Sequence, residues 1–201
     1  MKNRILSYLD EVIPNPKCEL EYTKDYELLI STMLSAQTTD KSVNKVAKVL
    51  YSKYPSIKDI NDAPLEDIKN IIKPLGNYNI KSRNIKGIAN AIYEKGGIPN
   101  DRAFIESLPG VGRKTANVFL SNIYSENCIA VDTHVARVSK RLGISSNSDD
   151  VFDTEKKLTK YFEGCDLARL HHQLLLFGRY HCKAINPLCD SCKLKDICKK
   201  D

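Results

Sequence analysis

Four of the seven cysteines lie close together near the end of the chain: Cys182, Cys189, Cys192 and Cys198. Clustered cysteines in a chain without a secretory pattern indicate metal ligation before disulfide bonding. Four thiolates can hold either a zinc ion or an iron–sulfur cluster, since both accept tetrahedral sulfur ligation. The spacing C-x6-C-x2-C-x5-C does not separate the two. The sequence therefore predicts a metal centre of either kind in this tail.

A turn with two glycines precedes a pair of basic residues in the segment Leu108–Lys114, which reads LPGVGRK. Gly110 and Gly112 permit a tight turn with close access to the backbone. A helix that begins near Gly112 would point unpaired N–H groups and its positive dipole end outward, which suits a DNA phosphate. Val111 would anchor the turn inward. The glycines alone favour the plainer interpretation, an ordinary connection between two helices.

Two side chains in this region of the sequence could act on a sugar. Lys114 follows Arg113 beside the predicted helix N-terminus, a setting that disfavours the cation and so favours the neutral amine that a nucleophile needs. Asp132 ends the apolar run 129–131 and comes just before His134. Its carboxylate could cap the next helix or stabilise positive charge at a reacting sugar, and its two oxygens make the roles compatible.

The elements that must position these residues are helical. Apolar residues recur at helical spacing in most of the chain, and no sustained alternation indicates a strand. We expect an all-α fold, with Thr39 or Asp40 as the N-cap of its second helix. The predicted helices cover residues 26–36, 41–52, 64–72, 79–93, 101–107, 113–124, 133–142, 152–162 and 167–177.

Composition excludes several classes of protein. The 201 residues are 42% hydrophobic and 28% charged, which is typical of a folded domain and not of a disordered or fibrous chain. No apolar run is long enough to span a membrane, and the opening residues contain no secretory pattern, so we expect a cytoplasmic protein. The net charge of +6 is concentrated in residues 73–102 and in the tail, which suits a polyanionic partner.

Five motifs in order along the chain resemble the endonuclease III family, the bifunctional DNA glycosylases of the helix-hairpin-helix superfamily. The similarity runs from about residue 20 to residue 198 and includes the four-cysteine tail. The motifs are Ser35–Asp40 (SAQTTD), Leu108–Ala116 (LPGVGRKTA), Val131–His134 (VDTH) and Gly178–Tyr180 (GRY), followed by the cysteines.

The resemblance implies two helical lobes. A six-helix barrel lobe would span residues 18–126, with the helix-hairpin-helix near 102–124. Residues 1–17 and 127–201 would form the second lobe and carry a [4Fe-4S] cluster on the four cysteines. Duplex DNA would lie across the cleft between the lobes, where Lys114 and Asp132 would meet.

The resemblance also implies an activity, the removal of oxidised pyrimidines from duplex DNA in base excision repair. Lys114 would attack the sugar of an extruded nucleotide with help from Asp132, and the resulting Schiff base would permit strand cleavage 3′ to the abasic site. Gln37 would fill the space that the base leaves. We expect further DNA contacts from the hairpin residues, His134 and Lys183. The partner would be double-stranded DNA with damaged pyrimidines or abasic sites, bound by a monomer associated with the nucleoid in a bacterium.

Two positions depart from the family pattern. Asn77 and Tyr78 follow Gly76 where relatives often present an apolar wedge, and Asn77 is also a good helix cap. The loop after Cys182 has Lys183 as its only charge, so we expect Lys193 and Lys195 to compensate and the salt dependence of DNA binding to be shallow.

The lysine at position 114 separates the chain from adenine-mismatch glycosylases.

Two other classes of protein are compatible with part of the pattern. A non-catalytic DNA-binding module with a redox-sensing cluster would need the hairpin and the cysteines but not Lys114 with Asp132. A structural protein stabilised by zinc would need the cysteines alone. Zinc would leave that protein colourless, whereas an iron–sulfur cluster would colour it brown.

Overall fold

The computed structural model describes residues 1–199 and is all helical in this range, without a β-strand, which confirms the predicted fold class. Most of the helices begin at an N-cap residue whose side chain accepts a hydrogen bond from an amide of the first turn. Thr39, for example, accepts one from the Ser42 amide. The α-helices are α1 (Lys2–Val12), α2 (Asp25–Leu34), α3 (Asp40–Lys53), α4 (Ile57–Asp62), α5 (Leu65–Ile72), α6 (Tyr78–Lys95), α7 (Arg102–Ser107), α8 (Arg113–Ile123), α9 (Thr133–Arg141), α10 (Val151–Tyr161) and α11 (Leu167–Leu176).

The chain divides into two compact units. Glu19–Tyr124 forms one, here called the central unit, and contains α2 to α8. Met1–Cys18 and the chain from Ser125 onward form the other, the terminal unit, which contains α1, α9, α10, α11 and the four-cysteine tail.

Helix α2 forms the middle of the central unit. Residues 26–34 are all buried, and Leu28, Leu29 and Ile30 are completely inaccessible to solvent. Helices α3, α6 and α8 pack against it. A helix that is buried on every side lies inside a bundle, and its few polar side chains, such as Thr32, find partners there.

The terminal unit joins the two ends of the chain around one apolar core. Ile5 and Leu9 of α1 pack with side chains of α9, α10 and α11, among which Phe162 is completely buried. Arg4 also binds Asp196 in the tail through both guanidinium nitrogens, at 2.7 and 2.5 Å. The N-terminal helix α1 therefore forms part of the surface that the cysteine tail contacts.

The structure corrects the predicted elements in three places. The helix predicted over 26–36 ends at Leu34, because the next residues form a turn. Helix α4 was not predicted, since six residues are too few to show helical periodicity; it begins instead with a capping box between Ser56 and Asp59. The last helix continues beyond its predicted end as a π-helical turn over Phe177–His181.

None of the helices in residues 1–199 is both long and apolar enough to cross a lipid bilayer.

Candidate DNA interface and metal centre

Helices α7 and α8 form a hairpin around the turn at residues 108–112. Arg102 Nη1 donates a hydrogen bond to Asn117 Oδ1 at 2.7 Å, which links the two helices across the turn. Val111 is only 4% exposed, so the turn is anchored inward as predicted. Gly112 is the N-cap of α8 and offers no capping side chain. The N-cap residue therefore supplies no side-chain acceptor to the first amides of α8.

The two glycines of this turn are required for different reasons. Gly110 has a φ of +75°, and a Cβ there would collide with the amide nitrogen of Asn84. Gly112 has an ordinary φ of −96°, and a Cβ there would meet no protein atom within 4 Å. Steric constraint thus explains Gly110, whereas Gly112 needs no special φ and is a favourable N-cap residue. The bare backbone at Gly112 suits close approach by a ligand.

Lys114 lies in the first turn of α8, two residues after the Gly112 N-cap, and is half-buried. The preceding residue, Arg113, is exposed. No acidic side chain lies in this first turn, all of which the structure describes. The positive end of the helix dipole and two basic side chains thus share one small region, and their combined charge favours an anion.

Gln37 and Asn77 lie together at an exposed tip of the central unit. Both have left-handed backbones, with φ of +57° and +48°. Asn77 Nδ2 lies 3.4 Å from Gln37 Oε1, a long hydrogen bond. Asn77 occupies the N-cap position of α6, but its side chain makes no capping bond. The expectation that its side chain caps the helix is wrong, because the amide turns toward Gln37 instead.

Asp132 begins α9 as predicted. Its Oδ1 accepts a hydrogen bond from the Val135 amide at 2.8 Å, and the residue is half-buried. Capping uses one carboxylate oxygen, so Oδ2 remains as a second acceptor.

His134, in the first turn of α9, is oriented by Arg137. Arg137 Nη2 lies 3.2 Å from His134 Nδ1 and donates to the Gly178 carbonyl at 2.6 Å. Arginine donates and cannot accept, so Nδ1 is the unprotonated nitrogen and Nε2 carries the proton. A Cβ at Gly178 would come within 3.0 Å of His134 Cβ, so this glycine permits the close packing. His134 can therefore donate a hydrogen bond from Nε2.

The four clustered cysteines line one cavity of about 230 Å³. Its other walls include His181, Leu188 and Lys195. Burial raises the pKa of the Cys182 thiol, and Arg141 opposes this by donating from Nη1 to Cys182 Sγ at 3.2 Å. Charge-assisted bonds of this kind favour the thiolate, which is the form that binds a metal.

The donor set fits a metal centre that binds through sulfur, since four thiols line one cavity. A zinc ion binds each sulfur at about 2.3 Å and so needs its four sulfurs nearly in contact. An iron–sulfur cluster places its own iron and sulfide atoms between the thiolates and so needs a wider arrangement.

The loop between Cys182 and Cys189 has little charge, and Lys193 and Lys195 were expected to supply positive charge for DNA in its place. The structure shows that both are less available for this than expected. Lys183 is half-buried. Lys193 Nζ contacts both oxygens of Glu11, at 2.6 and 2.7 Å. Lys195 Nζ lies 3.2 Å from Asp190. Each of the two lysines expected to compensate is already beside a carboxylate, which weakens its attraction for a phosphate.

The predicted site residues are distributed over both units. Gln37 and the hairpin residues 110–114 belong to the central unit, whereas Asp132, His134 and the cysteines belong to the terminal unit. Sequence reasoning missed Arg137 and Arg141, which donate to backbone carbonyls of the cysteine loop. Their spacing of four residues on one helix was the available signal, since it places both on the same face.

Comparison with known proteins places these features in a family. The family model described as "HhH-GPD superfamily base excision DNA repair protein" matches residues 30–164. Endonuclease III of Bacillus subtilis is 44% identical over 97% of this chain and 90% of its own length. Endonuclease III of Escherichia coli is 42% identical over 97% of this chain and 93% of its own.

A solved structure described as a trapped endonuclease III–DNA covalent intermediate, in an estranged-adenine complex, is similar throughout. It superimposes with a TM-score of 0.94 at 43% identity and covers 99% of this chain and 96% of its own. A thermostable thymine-DNA glycosylase at 22% identity shares the fold, with a TM-score of 0.86.

The two hairpin glycines should respond differently to alanine. Gly110→Ala adds a strained φ and a collision with Asn84, so we expect its unfolding free energy to fall by about 2 kcal/mol or more. Gly112→Ala meets neither problem, but alanine is a poorer N-cap than glycine, so the loss should be smaller, at about 0.5–1 kcal/mol. Urea unfolding followed by circular dichroism measures both. Equal losses would contradict the distinction between the two positions.

Proposed function

The chain belongs to the endonuclease III family of base excision DNA repair enzymes, and on that premise we propose that it removes oxidised pyrimidines from duplex DNA and cleaves the strand at the abasic site. The family makes it a DNA glycosylase and AP lyase. The substrate class, the roles of individual residues and the cluster are the proposed part. Thymine glycol is the test substrate that we select from the oxidised pyrimidines.

The position of Lys114 carries the proposal. Its amine lies in the first turn of α8, directly after the hairpin turn whose bare Gly112 backbone suits a phosphate. A phosphate bound at that N-terminus would fix the DNA backbone beside the amine. Such placement replaces a bimolecular encounter by an oriented one, which supplies much of the rate enhancement in enzymes.

The chemistry assigned to Lys114 balances in simple steps. The neutral amine attacks C1′ of the extruded nucleotide, and the base leaves with the electrons of the glycosidic bond and takes up a proton. The sugar ring opens to a Schiff base on Nζ. Loss of a proton from C2′ then expels the 3′ phosphate, and water releases the enzyme. The Asp132 carboxylate stabilises the cationic sugar and accepts the proton that Lys114 gives up.

The DNA contacts use groups of both units. The amides after Gly112 bind a phosphate, with Gly110 and Arg113 in the same segment and the buried Val111 anchoring the turn. His134 donates to a phosphate from Nε2, and Lys183 adds one charge in the cysteine loop. Gln37 fills the gap in the base stack. Because Lys193 and Lys195 are paired with carboxylates, few phosphates are neutralised and the salt dependence is shallow.

The four cysteines hold a [4Fe-4S] cluster in this proposal. The support is the shared cavity, the arginine bond to Cys182 and membership of the endonuclease III family. When bound, the cluster supplies four metal–thiolate bonds that order the tail. We assign it no step in the reaction.

The same proposal gives the setting of the enzyme. It acts as a monomer on chromosomal DNA in the cytoplasm, at the nucleoid of a bacterial cell. A non-catalytic redox sensor and a zinc-stabilised protein are the competing assignments, and the first and third experiments below exclude one each.

Lys114→Ala and Lys114→Arg should both abolish borohydride trapping on a thymine glycol duplex and lower nicking by at least about a thousandfold. Arginine keeps the positive charge but cannot form the Schiff base, so Lys114→Arg should still bind the duplex. Lys95→Ala, which removes an exposed lysine from the end of α6, is the control for lost charge. Normal trapping by Lys114→Arg would refute the assignment, and tight binding without nicking by the native protein would favour the sensor.

Asp132→Asn separates the two roles of this carboxylate. Asparagine caps a helix as well as aspartate does, so the thermal stability should be almost unchanged, whereas Asp132→Ala should lose about 1 kcal/mol. Both variants should excise thymine glycol about a hundredfold more slowly, because the negative charge is gone. Single-turnover kinetics beside thermal melts give both quantities. Native rates in Asp132→Asn would reduce Asp132 to a cap.

Native protein purified without oxygen should be brown and contain four irons per chain. Cys189→Ser should lose iron and melt at a lower temperature, since the tail loses its metal bonds. Cys18→Ser is the matched control, because Cys18 lies outside the cavity and should keep the iron. A colourless protein with one zinc per chain would overturn the cluster assignment.

A further inference from the structure

Lys81 is a buried lysine in an unfavourable place. It is only 5% exposed and lies one turn inside the N-terminus of α6, which begins at Tyr78. Burial lowers the pKa of its amine, and the positive end of the helix dipole also disfavours the ammonium. A buried charge is retained only where it gains good partners. The partners of Lys81 therefore indicate what it does.

The amine of Lys81 joins two loops of the central unit. It donates to the Ala36 carbonyl at 3.0 Å, to Thr38 Oγ1 at 3.1 Å and to the Leu75 carbonyl at 3.3 Å. All three acceptors are neutral oxygens. Thr38 Oγ1 in turn donates to the Leu75 carbonyl at 3.0 Å, which closes the network. Hydrogen bonds to the buried amine of Lys81 thus connect the loop at 35–38 to the loop at 75–77.

These bonds bracket Gln37. Ala36 precedes it and Thr38 follows it, so the amine of Lys81 holds the backbone before Gln37 and the side chain after it, around a residue with a φ of +57°. Glutamine has no short side chain to compensate a left-handed backbone, and such a conformation persists only when its surroundings impose it. Asn77, also left-handed, follows Leu75 by two residues. Both tip residues are exposed, while the ammonium below them is buried.

We propose that Lys81 is a positioning residue for base extrusion: its ammonium locks the Ala36–Thr38 and Leu75–Asn77 loops so that Gln37 is held ready to enter the base stack. The inference rests on the proposed function, since it assigns Lys81 to the Gln37 step of that reaction. Lys81 itself touches neither the damaged base nor the sugar. It acts through the conformation of Gln37.

Lys81→Met tests the proposal, because methionine keeps much of the apolar stem and removes every donor. The excision rate on a duplex with one paired thymine glycol should fall at least about tenfold under single-turnover conditions. Nicking of a duplex with a preformed abasic site should stay within about threefold, since that site has no base to extrude. Equal losses on the two substrates, or no loss on either, would overturn the proposal.

Lys86→Met is the matched control. Lys86 lies on the same helix and also donates to three backbone carbonyls, those of Ile60, Asn61 and Ala63. That loop is remote in sequence from Gln37 and Asn77. This variant should lose stability to a similar extent and leave the ratio of the two rates unchanged. A matching change of ratio in Lys86→Met would show that instability alone accounts for the effect.

A double-mutant cycle with Gln37→Ala distinguishes positioning from general support. If Lys81 acts through Gln37, the double variant should be no slower than the slower single variant, because the same interaction is lost once. Multiplying losses would contradict the proposal. If Lys81→Met does not fold, Thr38→Val removes one member of the network more mildly and enters the same cycle.

A fluorescent base keeps this test separate from the proposed function. If the native protein does not excise thymine glycol, the proposed substrate is wrong. The cycle is then run on a duplex with 2-aminopurine beside the thymine glycol, because entry of Gln37 into the base stack unstacks this neighbour and raises its fluorescence whether or not a base is excised. A smaller rise in Lys81→Met, without further loss in the double variant, would still support the role of Lys81. An unchanged rise would reject it.

Discussion

The terminal unit depends on two arginines of α9 that hold the cysteine tail. Arg137 and Arg141 donate to the carbonyl of Cys182, at 3.2 Å each, and Arg141 also reaches the Lys183 carbonyl at 2.8 Å. A loop with little secondary structure cannot satisfy its own backbone carbonyls, so a neighbour must do so. Burial lowers the pKa of Arg137, yet a guanidinium remains charged at any ordinary pH. The same helix begins at Asp132, so one short rigid element positions the candidate carboxylate and the metal-binding loop.

The central unit has a different structural requirement, which is to present polar backbone groups at its surface to a ligand. Its core is built on α2, which is buried on all sides, and this rigid centre supports the α7–α8 hairpin at its surface. Gly110 is fixed by the fold itself, through Asn84 and a positive φ. Gly112 is unconstrained by any neighbouring atom. As the N-cap of α8, Gly112 leaves the backbone bare, which suits a ligand that approaches from outside.

Sequence reasoning was most successful where local signals agree. Apolar periodicity and capping residues predicted nine of the helices to within a few residues, with Thr39 and Asp132 correctly identified as caps. It failed for α4, whose six residues carry a cap but no period, and for the π-helical turn after α11, in which Gly178 packs closely against His134. Lys81, Arg137 and Arg141 were also missed. Their partners are mainly backbone carbonyls, which every residue has, so no pattern of side chains marks them in advance.

Backbone strain in this chain is confined to a few segments. Within residues 1–199, the non-glycine residues with positive φ are Gln37, Asn77, Ser125 and Asn186. Ser125 lies where the chain passes from one unit to the other, and Asn186 lies in the loop between the first two cysteines of the tail. Asparagine tolerates the left-handed region because its short amide can bond locally, but glutamine and serine gain less from this effect. Gln37 is therefore the costliest of the tip residues to hold, at about 1–2 kcal/mol. That cost accounts for a second unfavourable feature nearby, the buried ammonium of Lys81. Its hydrogen bonds to Ala36 and Thr38, the residues on either side of Gln37, prevent the backbone from relaxing to a more favourable φ.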